Sequence, residues 1–183
     1  MIDPLASRAI SVALALLLLF AAWHKVSARH AFAAALGEYR LLPRSLWRPV
    51  SLLLPALEAV LGLAWLVGFE TRTVALLTAS LLGVYATAMA INLWRGRVHI
   101  DCGCGFGGAS GADQPLSWWL VARNLLLGVA AMVAAGPPAG RDLGPYDWLT
   151  LAFAIAAAVL LYSGASQLMR NGAAMAAWRT PRD

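Results

Sequence analysis

The sequence predicts an all-α integral membrane protein, a bundle of about five transmembrane helices. Of its 183 residues, 61% are hydrophobic and only 13% are charged, whereas soluble domains carry about 25% charged residues. The mean hydropathy is +0.69. So few charges leave too little polar surface to cover a globule in water, and lipid must therefore solvate much of the chain. The apolar runs are too long for barrel strands, so the spans are expected to be helices.

Five charge-poor runs are each long enough to cross a hydrocarbon core of about 30 Å, which takes about 20 residues. Glu58 interrupts the second run and Arg123 interrupts the fourth. The length allows one domain over residues 1–183. A secretory signal peptide is the alternative for the first run, although the small-residue stretch of a cleavage site follows too far beyond it. The predicted spans are residues 5–25, 48–69, 73–94, 116–136 and 148–169.

The basic character of the chain indicates a membrane partner and not nucleic acid. The net charge is +5, and the basic residues cluster at span ends, where lipid headgroups favour them. No basic stripe with interleaved aromatic residues, of the kind that binds nucleic acid, is present. Tryptophans at the predicted span ends form an aromatic belt: Trp23, Trp47, Trp94, Trp118, Trp119 and Trp148.

The connection between the first two spans, residues 27–48, has apolar residues at intervals of three to four. This spacing predicts a short amphipathic helix in the membrane interface that ends before Pro43. The alternative is an irregular loop.

Both cysteines of the chain, Cys102 and Cys104, lie in the glycine-rich connection 95–115. A redox dithiol is the sharpest interpretation, because a disulfide across one residue closes a small strained ring, and strained disulfides are the labile ones. Basic neighbours favour the reactive thiolate, although Asp101 opposes this effect. Two alternatives stay open: unrelated loop cysteines, and a metal site completed by His99 and Asp101, since a closed zinc site needs four ligands.

The two ionisable residues inside spans, Glu58 and Arg123, are predicted to meet. Counted from the cysteine side, both lie roughly 10–15 Å deep at 1.5 Å per residue, and charges at such depth normally pair or line a cavity. Asn92 and Asn124 fall in the same half of the membrane. The four residues therefore predict a polar pocket beneath the cysteine loop. The alternative is a protonated Glu58 and an Arg123 that reaches the headgroups.

With these motifs in place, the chain resembles the MauE family of membrane accessory proteins in methylamine utilisation, within a wider redox-associated MauE/DoxX group. The matching stretches run in order along nearly the whole chain. The family pattern continues Cys-Gly-Cys-Phe-Gly, whereas here Gly105 precedes Phe106. The stretches are Tyr39-Arg40-Leu41-Leu42-Pro43, Pro55-Ala56-Leu57-Glu58, Asn92-Leu93-Trp94-Arg95-Gly96-Arg97, Ile100-Asp101-Cys102-Gly103-Cys104-Gly105 and Arg123-Asn124.

The resemblance implies maturation of the periplasmic small (beta) subunit of methylamine dehydrogenase, with a thioredoxin-like periplasmic partner of the MauD type. It also implies a layout similar to the vitamin K epoxide reductase bundle, but without that family's Cys-x-x-Cys and shuttle cysteines. Electrons would then pass directly between Cys102/Cys104 and a partner protein, which would make the chain a thiol–disulfide oxidoreductase. A non-catalytic scaffold with structural cysteines remains the alternative, so enzyme status is open. No cofactor is certain, and a quinone is the one left open.

The orientation in the bacterial inner membrane rests on two opposed arguments. Ten basic residues lie on the cysteine side against three opposite, which favours a cytoplasmic cysteine loop. Five of the ten, from Lys25 to Arg48, lie in the interfacial helix or at its ends, where they can contact headgroups of either leaflet. Disulfides persist in the periplasm and are rare in the cytosol. We therefore expect the cysteine loop and the C-terminus to face the periplasm.

Overall fold

The computed structural model describes residues 2–69, 71–97, 116–137, 139, 144–157 and 160. The prediction of an all-α membrane protein is confirmed: three helices are long and apolar enough to cross a membrane, and a shorter apolar helix accompanies them. A further short helix follows the first long one. The helices are α1, Pro4–Ser27; α2, Arg29–Glu38; α3, Arg44–Val67; α4, Thr71–Trp94; and α5, Trp118–Ala134.

The first four predicted spans correspond to α1, α3, α4 and α5. The three long helices have 24 residues each and are strongly apolar over the length of a span. With 17 residues, α5 is about 26 Å long and lies at the lower limit for a span. The third helix begins four residues before the predicted start, because Arg48 was taken as a boundary although the helix continues through it.

The four longer helices run in alternating directions. A tight turn at Gly68, whose φ of 75° is left-handed, reverses the chain between α3 and α4. At the opposite membrane end, the Trp94 and Trp118 rings meet edge to face with centroids 6.0 Å apart, which joins the end of α4 to the start of α5. The main core is packed from α1, α3, α4 and α5, and Trp65 is its largest buried side chain.

The short helix predicted between the first two spans is confirmed as α2, which ends at Glu38, before Pro43. Its position in the membrane interface stays a prediction. It packs against the first turns of α3. A Cβ atom added at Gly37 would lie 2.7 Å from the Trp47 ring, so any other residue here would displace the ring. The Trp47 indole donates a hydrogen bond of 3.1 Å to the Leu42 carbonyl, which fixes the connection between the two helices.

The chain divides into two units, residues 1–140 and 141–183. In the second unit residues 145–157 are helical, which covers part of the predicted fifth span, 148–169. The rest of that span lies outside the described residues. The single domain over residues 1–183 and the likeness to the vitamin K epoxide reductase bundle stay predictions.

Candidate functional site

A buried polar cluster joins α1, α3 and α4. The Lys25 ammonium donates to both carboxylate oxygens of Glu58, at 2.6 and 2.9 Å, and the Tyr85 hydroxyl donates to Oε1 of Glu58 at 2.8 Å. Lys25 is 3% exposed and Glu58 is 1% exposed. Three charge-assisted hydrogen bonds therefore satisfy a carboxylate that would otherwise be costly to bury in a membrane protein.

Helix packing brings these side chains together. In α1, Lys25 continues the buried face of Leu14, Leu18 and Ala22 at intervals of three to four. In α3, Glu58 shares a face with Gly62, where an added Cβ atom would lie 2.8 Å from Leu19 Cγ and 3.1 Å from the Ala15 carbonyl oxygen. The absence of a side chain at Gly62 therefore lets α1 and α3 approach closely enough for the ion pair.

The predicted pairing of Glu58 with Arg123 is wrong, because Lys25 and Tyr85 bind the Glu58 carboxylate. Helix α3 begins at Arg44, so Glu58 lies 14 residues (58 − 44) or about 21 Å from its start, whereas Arg123 is five residues (123 − 118) or about 8 Å into α5. In addition, α5 packs against α4 and α1, and no packing between α3 and α5 occurs along their described lengths.

The other predicted pocket residues lie on α4 and α5. Asn92 and Asn124 are both buried, and each amide donates to a carbonyl four residues earlier, Ala88 at 3.1 Å and Leu120 at 2.8 Å. Arg123 is partly buried. Asn92 and Asn124 thus lie near the helix ends that flank residues 95–115, the cysteine segment. The grouping of these residues into one polar pocket beneath the cysteines stays a prediction.

The end of α4 has buried polar atoms with no hydrogen-bond partner in the part of the chain that the structure describes. The Asn92 side-chain oxygen and the Arg97 Nη1 atom are buried and have no hydrogen-bond partner among the described residues. The Arg97 backbone amide donates to the Asn92 carbonyl at 3.0 Å, so the two residues are neighbours. Buried polar atoms without a partner are uncommon, and these two lie directly before residues 98–115.

The predicted catalytic cysteines, Cys102 and Cys104, lie outside the described residues, as do His99 and Asp101 of the alternative metal site. Within the described ranges, no group of three or more His, Cys, Asp or Glu residues is arranged to hold a metal ion. The structure does locate both ends of the cysteine segment, since Trp94 and Trp118 are in contact.

Sequence reasoning missed Lys25 and Tyr85. Lys25 was counted among the basic residues that flank a span, and Tyr85 lies in a run without charges. One signal in the sequence could have found Lys25. It falls on the same helical face as Leu14, Leu18 and Ala22, and this position on the apolar face indicates a buried side chain.

A cavity of about 300 Å³ adjoins the ion pair. The Lys25 ammonium lies 5.6 Å from the centroid of the Phe32 ring and 5.4 Å from that of Tyr85, within the roughly 6 Å of a cation–π interaction. The buried pair carries no net charge, and the third N–H of the Lys25 ammonium is a hydrogen-bond donor at the edge of an otherwise apolar space.

Comparison with known proteins adds the family. Residues 4–136 match the family model of the methylamine utilisation protein MauE. The chain is 38% identical to the MauE protein of Paracoccus denitrificans over 183 residues, all of this chain and 97% of that protein. It is 37% identical to that of Paracoccus versutus over 91% of this chain and 88% of that protein. It is 36% identical to the MauE protein of Methylorubrum extorquens over 93% of this chain and 92% of that protein. No solved structure matches. With a family model covering most of its length, the chain belongs to the MauE family.

Proposed function

We propose that this chain is a membrane accessory protein of methylamine utilisation that helps to mature the small subunit of methylamine dehydrogenase by thiol–disulfide exchange. The relatives are named methylamine utilisation proteins, which supports the metabolic setting. The observation that carries the chemistry is the Cys102-Gly103-Cys104 pair in a chain with no other cysteine. A thioredoxin-like periplasmic protein of the MauD type is the proposed partner.

The exchange runs through a mixed disulfide. One cysteine thiolate attacks a disulfide of the partner, forms a bond to one partner sulfur and releases the other as a thiolate. The second cysteine then attacks the mixed disulfide, which closes the 102–104 disulfide and leaves the partner as a dithiol. The same two steps in reverse transfer a disulfide to the partner. In either direction one disulfide is broken and one is formed, so no further oxidant or reductant is needed.

The helix ends beside the cysteine segment support this chemistry. The contact between Trp94 and Trp118 anchors both ends of the segment at one membrane end, where a water-exposed partner can reach it. Buried Asn92 and Asn124, with Arg123, are proposed to supply polar support beneath the thiols. Asn92 is suited to this role, because its side-chain oxygen makes no hydrogen bond among the described residues.

The proposed location is the bacterial inner membrane with the cysteine segment in the periplasm, where disulfides persist. A membrane-impermeant thiol reagent, applied to intact spheroplasts after mild reduction, tests the orientation. Labelling of Cys102 or Cys104 before lysis is expected. Protection until lysis would place the thiols in the cytoplasm and exclude a periplasmic partner.

The function is tested by replacing both thiols. Cys102→Ser/Cys104→Ser is expected to abolish maturation of the dehydrogenase small subunit, measured as active dehydrogenase in periplasmic extracts, while the protein still inserts in the membrane. Ser110→Ala in the same segment is the matched control and should keep full maturation. Normal maturation by the double serine variant would reject the thiol mechanism and leave the scaffold role.

A further inference from the structure

The cavity beside the ion pair exists because α1 ends early. The first helix stops at Ser27, whereas α3 extends about 21 Å beyond Glu58 toward the same membrane end. Helix α2 covers the space that remains above the end of α1. The walls come from α2, the following connection, α3 and α4, with Lys25 and Tyr85 where the cavity meets the polar cluster. The lining includes Phe32, Leu36, Tyr39, Leu54, Val84 and Ala88.

The dimensions and the lining suit a small lipophilic molecule. A volume of about 300 Å³ lies at the lower end of the range for small-molecule pockets, roughly 300–1,000 Å³. Three of the lining side chains, Phe32, Tyr39 and Tyr85, are aromatic, and aromatic faces favour flat ring systems. Val84, at the edge of the cavity, is 62% exposed, so a tail can leave the cavity toward lipid.

The polar end of the cavity indicates the chemistry of the ligand's head group. An ammonium group has three N–H donors. Two of those on Lys25 bind the Glu58 carboxylate, and no hydrogen bond from the third occurs among the described residues. Lys25 and Glu58 neutralise each other. A charged head group on the ligand would therefore be repelled by one of the two, whichever carries the same sign of charge. The matching group is a neutral hydrogen-bond acceptor such as a ring carbonyl.

We infer that this cavity binds a neutral, flat, carbonyl-bearing lipophile, the chemical class of the membrane quinones. One carbonyl accepts the third Lys25 N–H, the ring lies among the aromatic side chains, and the tail passes Val84. The binding does not depend on the proposed thiol exchange. A phospholipid fits less well, since its phosphate would lie beside the Glu58 carboxylate, although an acyl chain alone could fill the apolar part.

The test uses the full chain in detergent with both cysteines changed to serine, so that thiol chemistry cannot interfere. The probe is a fully ring-substituted benzoquinone with a decyl tail, and binding is measured by equilibrium dialysis. Ala88→Phe fills the cavity and should weaken binding at least tenfold. Thr87→Phe, on the exposed face of the same helix, is the matched control and should bind as the parent does.

A second pair of measurements separates the contribution of the ligand's head group to binding from that of its tail. The charge-neutral variant Lys25→Met/Glu58→Leu/Tyr85→Phe removes the Lys25 donor without leaving an unpaired charge or a new hydrogen-bond donor, and it should weaken quinone binding about five- to tenfold. Decylbenzene, which has no carbonyl, should bind weakly and equally to both proteins. Equal quinone and decylbenzene affinities would mean that the cavity holds only an apolar chain and would overturn the inference.

Two further outcomes would also overturn it: no saturable quinone binding by the parent, or equal loss with Ala88→Phe and Thr87→Phe. Bound phospholipid that quinone does not displace, detected by mass spectrometry of the purified protein, would assign the cavity to lipid. If Ala88→Phe does not fold, Val84→Trp narrows the exposed edge of the cavity and is expected to weaken binding in the same direction.

Discussion

The polar cluster around Glu58 and the polar end of α4 differ in how fully their hydrogen bonds are made. Around Glu58, two helices, α1 and α4, contribute donors to a carboxylate on α3, and both of its oxygens are bound. At the end of α4, Asn92 donates only within its own helix, and its side-chain oxygen has no partner among the described residues. The first cluster holds helices together. The second retains hydrogen-bonding capacity next to the cysteine segment, where the proposed chemistry takes place.

Breaking the ion pair should give the largest loss of stability. Glu58→Leu leaves a buried ammonium group at Lys25 without its counter-charge, and the expected loss is about 3–5 kcal/mol in the free energy of unfolding. The double variant Lys25→Met/Glu58→Leu should recover most of it, because no charge then remains buried. Unfolding in mixed micelles, followed by circular dichroism, measures both. If the double variant is as unstable as the sum of the two single variants, the pair does not act as a unit.

A substitution that disturbs the close approach of α1 and α3 should give the next largest loss of stability. Gly62→Ala places a Cβ atom against Leu19 and the Ala15 carbonyl, so the helices must separate at an expected cost of about 1–3 kcal/mol. Gly83→Ala is the matched control, because no atom lies within 4 Å of its added Cβ and alanine favours a helix by up to about 1 kcal/mol. Equal effects of the two substitutions on unfolding would contradict the packing described for α1 and α3.

Asn92 should give the smallest change in stability. Asn92→Leu removes one hydrogen bond within α4 and also a buried acceptor that no described residue binds, so the free energy of unfolding should change by less than about 1 kcal/mol. Maturation of the dehydrogenase should nevertheless fall, because the proposed polar support beneath the thiols is lost. A loss of stability as large as that of Glu58→Leu would erase the contrast between the two regions.

The sequence predicted the fold better than it predicted the partners of buried charges. Apolar length located α1, α3, α4 and α5, and spacing located α2, because both signals are local. The predicted pairing of Glu58 with Arg123 was wrong because helix boundaries taken from charged residues do not give the depth of each helix in the membrane. Helix α3 begins at Arg44 and not at Arg48. Nor does a hydropathy pattern tell which helices are neighbours, and α3 packs beside α1 and α4 and not beside α5.

The proposed thiol exchange is tested most directly by trapping its intermediate. With only one thiol left, in Cys102→Ser or in Cys104→Ser, the mixed disulfide cannot be resolved from within the chain. After acid quenching and alkylation of cells that express methylamine dehydrogenase, at least one variant should carry a reductant-sensitive adduct. Mass spectrometry should identify a thioredoxin-like protein or the dehydrogenase small subunit in it, and the double serine variant should carry none. Absence of an adduct from both single variants, in cells where each is present in the membrane, would contradict thiol exchange.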